Sequence, residues 1–327
     1  MTSGADDRVV APSTGSDART DPALPAGPTG PRGPRSKAPV ESWTVLDLIL
    51  WSADYLADKG VESPRLDAEH LLAHVVGVAR LGLYLQFDRA LTSEELDGFR
   101  PLLRRRAQRE PLQYIVGRQP FRELDLEVTP AVLIPRPETE VLVDVILEWA
   151  AERDGEPMTA VDIGTGSGAI ALSLAFEGAF ASVLATDVDE EALRVAGRNR
   201  DAAGLTGRVE LRHGPLFEPL RPGERFDVIV SNPPYVAESE AETLQPEVAD
   251  WEPRGALFGG EDGLDVLREL VLGARDALKP GGMLALEVGA GQADTVARMM
   301  EDADGYADVR VRRDYAGKQR IVSGRRA

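Results

Sequence analysis

The chain has 327 residues, 43% of them hydrophobic, enough for one large domain or two modest ones with real cores. Against 37 basic residues stand 55 acidic ones, and the net charge of −18 works against a nucleic-acid partner, whose affinity comes mostly from phosphate contacts. Cysteine is absent, which excludes disulfides, thiolate nucleophiles and cysteine metal sites.

No apolar run approaches the ~18 residues that span a bilayer. Met1 is not followed by a basic patch and an apolar stretch, so no signal peptide is read. The expectation is a cytoplasmic protein without a membrane partner.

Residues 1–42 contain seven prolines, five glycines and no aromatic residue. That composition predicts a disordered tail. Asp6, Asp7, Asp17 and Asp21 argue against a transit peptide, which avoids acids.

Residues 43–110 predict a small helical domain. Val45, Leu46, Leu48, Ile49, Ala53 and Leu56 recur at helical spacing. Ser63-Pro64 reads as an N-cap followed by a proline at the first helical position, and Gly77 closes that helix. Thr92-x-x-Glu95 is a capping box that opens a third helix, running through Arg109. His70 and His74 are spaced as zinc ligands can be, but no third ligand accompanies them and no metal is expected. Arg104, Arg105, Arg106 and Arg109 suit a solvated helix end favoured by the dipole, with a partner-docking patch as the other reading.

Residues 111–138 predict a hairpin linker, built from stretches around Tyr114–Val116 and Phe121–Val128. From 139 to 327 strands and helices alternate. Strands are expected at 159–163, 181–187, 207–212, 225–231, 282–289, 307–313 and 319–323. The pattern is an open, mainly parallel α/β sheet.

Gly164-Thr165-Gly166-Ser167-Gly168 directly follows the first of these strands. Such a loop lets the backbone pass close to a ligand. Its spacing differs from the G-x-G-x-x-G of dinucleotide binders. Asp187 ends the next strand, nineteen residues after Gly168, where a carboxylate can accept both ribose hydroxyls of an adenosine. Asp162, just before the loop, could order it or meet a cationic ligand group. A ribose, a positive charge and no phosphate favour S-adenosylmethionine as cofactor over NAD.

Asn232-Pro233-Pro234-Tyr235 follows the fourth strand, at the sheet edge where ligands bind in open α/β folds. Asn232 offers an amide oxygen, and Pro233 keeps a carbonyl while Pro234 biases it to an extended conformation. Tyr235 offers a flat wall. Two fixed acceptors match the two hydrogens of an –NH₂ group and would aim its lone pair out of conjugation, towards a nearby sulfonium methyl.

With these motifs the chain resembles the release-factor glutamine methyltransferase (HemK) family over about residues 43–325. Ser63-Pro64-Arg65-Leu66-Asp67-Ala68-Glu69, Pro111-Leu112-Gln113-Tyr114-Ile115 with Gly117 and Phe121, Leu133-Ile134-Pro135-Arg136-Pro137-Glu138-Thr139-Glu140, and Glu252-Pro253 with Ala256-Leu257 carry the resemblance. Asn-Pro-Pro-Tyr alone is shared with nucleic-acid adenine methyltransferases.

The resemblance implies a Rossmann-like class I methyltransferase with a seven-stranded, mostly parallel sheet and a small N-terminal helical domain. It implies methylation of the glutamine N5 in the Gly-Gly-Gln motif of peptide chain release factors 1 and 2. Asn232 and Pro233 would hold the amide, with Pro234 and Tyr235 beside it. The glycine loop and Asp187 would hold the cofactor, and Phe121 would lie near its methionine end. The helical domain would help dock the release factor. Where many members carry Asp near the adenine, this chain reads Gly214-Pro215-Leu216-Phe217, which leaves Leu216 to pack there. Arg136 and Glu138 fit either a packing ion pair at the domain junction or an active-site role. The alternative reaction is nucleic-acid adenine-N6 methylation; the acidity and the lack of a target-recognition domain count against it.

Overall fold

The computed structural model describes residues 43–327 apart from 154 and 156. The expected tail at 1–42 lies outside the described residues. Four helices open the described chain: α1 (Val45–Ala57), α2 (Pro64–Val76), α3 (Arg80–Tyr84) and α4 (Ser93–Ala107). Thr92 and Glu95 form both halves of the capping box at the start of α4. Gly77 ends α2 in the left-handed conformation (φ +73°), and Pro64 sits in its first turn. The Ser63 side chain makes no cap bond, so the proline alone marks that start. Leu48, Leu71, Leu72, Phe99 and Leu103 from α1, α2 and α4 share one core.

Arg104 at the end of α4 is exposed as a solvated helix end would be, but Arg106 and Arg109 are not. Arg106, 6% exposed, bonds Asp67 Oδ2 at 2.7 Å and Glu247 Oε1 at 2.8 Å. Arg109 holds the same glutamate through both its Nε and Nη2. Burial alone would raise the Glu247 carboxyl, but hydrogen bonds from Arg109 and Arg106 outweigh it and hold that carboxyl below its usual range. Two arginines thus tie the helical unit to a segment some 140 residues further along the chain.

Residues 111–138 are only partly the expected hairpin. Leu112–Val116 is a short helix, α5, entered at Pro111 and closed by left-handed Gly117, so Tyr114–Val116 is not a strand. The hairpin itself is β1 (Arg118–Phe121) against β2 (Leu124–Glu127).

Helix α6 (Pro137–Ala151) leads into the sheet. Then follow β3 (Met158–Ile163), α7 (Ala169–Glu177), β4 (Phe180–Asp187), α8 (Glu190–Ala202), β5 (Val209–His213) and β6 (Phe226–Ser231). Short helices α9 (Pro246–Ala249) and α10 (Arg254–Leu257) precede α11 (Asp265–Ala277). The chain ends with β7 (Leu278–Glu287), α12 (Ala293–Asp302), β8 (Tyr306–Arg313) and β9 (Gln319–Arg326). The seven-stranded sheet has the order β5-β4-β3-β6-β7-β9-β8. Strands β3 to β7 run parallel, while β9 pairs antiparallel with β7 and β8.

Side-chain alternation assigns the two faces. Ala160, Val228 and Val230 pack with Leu142 and Ile146 of α6 and Leu172 of α7. Val161, Ile229 and Leu284 point the other way, onto Leu267 and Leu270 of α11 and Val296 of α12. Helices on both faces leave the carboxyl ends of β3, β4, β6 and β7 open at one edge, and the order of connections reverses between β3 and β6. Ligands bind at such a switch point.

Replacing Arg106 with Met would strand the buried Asp67 and half of the Glu247 contact. Breaking one partner of a buried ion pair costs ~3 kcal/mol or more. A lowered urea midpoint for Arg106→Met is expected, and an unchanged midpoint would show that the junction does not depend on this cation.

Candidate active site

At the open edge lies a cavity of about 480 Å³. Its polar lining comes from Gly164, Thr165, Gly166, Ser167, Asp187 and Asn232, and apolar side chains such as Val132, Leu133, Pro215 and Val266 close the rest. The loop at its floor is braced from behind. Asp162, fully buried, accepts from Thr165 Oγ1 at 2.6 Å and from the Ala171 amide at 3.1 Å. It therefore orders the loop and the start of α7; it is not part of the cavity wall. Burial pushes its carboxyl up to about 7, against those two hydrogen bonds. Asn199 Nδ2 donates to the carbonyls of Ser167 at 2.8 Å and Glu127 at 3.0 Å, tying the loop to the hairpin.

Gly164 and Gly166 have φ of +76° and +56°, and a Cβ on either would meet nothing within 4 Å. Their bare backbone faces open space, where an L side chain would be strained and would fill the site. Asp187 is fixed by the Gly166 amide at 2.8 Å and the Asp189 amide at 2.9 Å. Burial raises its carboxyl above the usual range while these amides pull it down. Each oxygen keeps a lone pair, which suits a ribose diol. Leu216 lines the cavity with φ of +46°, a strained conformation for a branched residue that commonly marks a ligand wall. These features fit an adenosine with a positively charged neighbour. Thr165, Gly164, Gly166, Ser167, Asp187 and Leu216 are thus brought together as expected.

Asn232, Pro233 and Pro234 also line the cavity. The Ser231 hydroxyl donates to the Ile163 carbonyl at 2.6 Å and locks the end of β6 to that of β3. Asn232 Nδ2 donates to Thr139 Oγ1 at 3.1 Å, while its Oδ1 is buried and has no partner among the described residues. The turn is clamped from the other side: Gln292 Nε2 donates to the Tyr235 carbonyl at 2.9 Å. A Cβ on Gly263 would come within 2.3 Å of that same carbonyl, so only glycine allows the approach.

Three expected site residues lie elsewhere. Phe121, 1% exposed, is in the core with Leu126 and Leu142, because the hairpin folds its apolar side onto α6 and α7. It does not line the cavity. Tyr235 packs behind the turn on the opposite face of the sheet, and burial pushes its hydroxyl up to about 12. Gly168 is the left-handed N-cap of α7, close to Leu172 and Ala196. Thr139, Glu287 and Asn199 were not singled out from the sequence; each gains its partners only through the fold.

A second cavity, about 630 Å³ and rich in charge, opens between the helical unit and the sheet. Arg136 and Glu138 line it, whereas Pro135 and Thr139 line the first, so the two share one stretch of wall. Arg136 bonds Glu252 Oε1 at 2.5 Å, which makes it an ion pair at the junction.

Comparison with known proteins agrees with this geometry. The PrmC N-terminal domain family matches residues 47–117, and the methyltransferase small domain family matches residues 139–248. Release factor glutamine methyltransferase of Geobacter sulfurreducens is 48% identical over 87% of this chain and 98% of its own length. That of Rhodopirellula baltica is 40% identical over 87% and 97%. Among solved structures, the hMettl16 catalytic domain in complex with MAT2A 3'UTR hairpin 6 shares the fold, with a TM-score of 0.50 and 17% identity over 68% of this chain and 81% of that one. The chain is a methyltransferase enzyme. Asp187→Ala is expected to weaken binding of S-adenosylmethionine about tenfold by calorimetry, the effect of losing one charged hydrogen-bond acceptor; an unchanged Kd would remove Asp187 from the site. Matched over nearly the full length of such relatives, the chain belongs to the release factor glutamine methyltransferase family.

Proposed function

We propose that the methyl group goes to N5 of the glutamine in the Gly-Gly-Gln motif of peptide chain release factors 1 and 2. The observation that carries this reading is the buried, unpartnered Oδ1 of Asn232, next to Pro233 at the edge of the cofactor cavity. A buried acceptor without a partner is costly unless a ligand supplies the donor.

When bound, S-adenosylmethionine supplies a methyl group on a positively charged sulfur. Asn232 Oδ1 and the Pro233 carbonyl accept the two hydrogens of the glutamine –NH₂. An amide nitrogen is a poor nucleophile because its lone pair is delocalised into the carbonyl. Holding both hydrogens fixes the plane of the –NH₂ group so that the lone pair, which projects from its face, meets the methyl group, and orientation supplies much of the rate. With S-adenosylmethionine bound, its methyl group would pass to this nitrogen, and the excess N–H proton would then leave to solvent. No strong base is needed beforehand. The rigid Pro233-Pro234 turn, with Tyr235 behind it, leaves little to order when substrate arrives. Gly164, Thr165, Gly166, Ser167 and Asp187 would hold the cofactor and Leu216 would pack on its adenine, while Gly168 shapes the loop as the N-cap of α7.

The helical unit helps dock the release factor, which spans more surface than a pocket offers, and the charged second cavity between helical unit and sheet lies on that side. A translation factor as partner puts the reaction in the cytoplasm. Among the described residues no helix is long and apolar enough to cross a membrane. Asn232→Ala is expected to lower methyl transfer ~10²-fold or more, on the scale of losing one preorganised transition-state contact, while cofactor Kd holds. Equal loss of both would contradict the assignment. With labelled cofactor offered alongside release factor or unmethylated DNA, label should enter the release factor; label in DNA alone would overturn the reading in favour of adenine-N6 methylation.

A further inference from the structure

Glu287 is the last residue of β7 and is 1% exposed; Thr139 lies in the first turn of α6 and is 4% exposed. Strands β6 and β7 run parallel with Ser231 opposite Leu286. The next residues, Asn232 and Glu287, therefore leave the sheet side by side. Thr139 stands between them. Its hydroxyl donates to Glu287 Oε2 at 2.7 Å and accepts from Asn232 Nδ2 at 3.1 Å.

We propose that Thr139 and Glu287 are positioning residues that decide which end of the Asn232 carboxamide meets the substrate. This rests on the role of Asn232 given above. A threonine hydroxyl has one hydrogen. Once the Glu287 carboxylate takes it, only lone pairs face Asn232, and only the –NH₂ end can bond there. Oδ1 is left as the free acceptor. A flipped amide would set oxygen against oxygen at Thr139 and present donors to the substrate's own N–H groups.

The direction of this chain holds only while Glu287 is an acceptor. Its carboxyl is pushed up to about 7, chiefly by burial, with Glu138 adding to the rise and Thr139, Arg320 and Tyr235 opposing it. These groups come from α6, β9 and the turn after β6. A protonated Glu287 can donate to Thr139, which then donates to Asn232 Oδ1 and occupies it. Activity should therefore fall as pH drops through about 7, although the glutamine amide itself does not titrate.

The test uses the full chain, purified release factor and labelled S-adenosylmethionine. Thr139→Val should lower kcat about tenfold or more with cofactor KM little changed, the usual size for a group that orients a reacting one. Thr139→Ser should restore most of it. Glu287→Gln should lower kcat and abolish the inflection near pH 7 expected of the unaltered protein. Wild-type kcat in Thr139→Val beside an inactive Asn232→Ala would overturn this inference and leave the role of Asn232 standing. An active Asn232→Ala would remove both. Thr139→Ser as impaired as Thr139→Val would also overturn it, because the hydroxyl would then be irrelevant. Should Thr139→Val fail to fold, an unchanged pH inflection in Glu287→Gln overturns it and a lost one supports it.

Discussion

The carboxyl ends of β3, β6 and β7 lie side by side, and the chemistry depends on that adjacency. Beyond β3 comes the glycine loop, beyond β6 the Asn-Pro-Pro-Tyr turn, and β7 itself ends in Glu287. The Ser231 to Ile163 hydrogen bond fastens the first two together. Parallel pairing delivers all three chain ends to one edge, which an antiparallel arrangement would not. Glycine loop and Asn-Pro-Pro-Tyr turn are thereby neighbours on one cavity without any side chain having to reach far.

Two kinds of stiffness keep the edge in place. Covalent stiffness comes from Pro233 and Pro234, whose rings fix φ. Hydrogen-bonded stiffness comes from residues far off in sequence: Gln292 on the Tyr235 carbonyl, Asp162 on the loop, and Thr139 with Glu287 on Asn232. Glu287 and Asp162 stay buried although desolvation raises both carboxyls to about 7. Stability from other contacts offsets that cost, as is common where buried polar groups specify one geometry.

Much of this was legible in the sequence. Runs such as Val161-Asp162-Ile163 and Asp227-Val228-Ile229-Val230 read as strands because β-branched residues crowd between turn signals. The glycine loop, Asp187 and Asn232 could be placed because each follows a strand end directly. Tyr114-Ile115-Val116 misled, since its residues favour strands; Pro111 and left-handed Gly117 bound a five-residue helix there instead. Arg106 and Arg109 misled for another reason: their partner Glu247 lies about 140 residues away, and no local pattern reveals it. Thr139 passes for an ordinary first-turn residue until the fold brings Glu287 and Asn232 to its hydroxyl. Phe121 is conspicuous as an aromatic in a motif, yet its ring went to the core, where burying it is worth ~2 kcal/mol.

The central claim is that Asn232 Oδ1 and the Pro233 carbonyl hold the glutamine amide. A crystal structure of the chain with S-adenosylhomocysteine and a release-factor glutamine peptide tests it most directly. The account predicts the glutamine nitrogen at hydrogen-bond distance, ~3 Å, from both oxygens. A glutamine side chain lodged elsewhere, or an Asn232 whose oxygen is turned onto Thr139 in that complex, would contradict it.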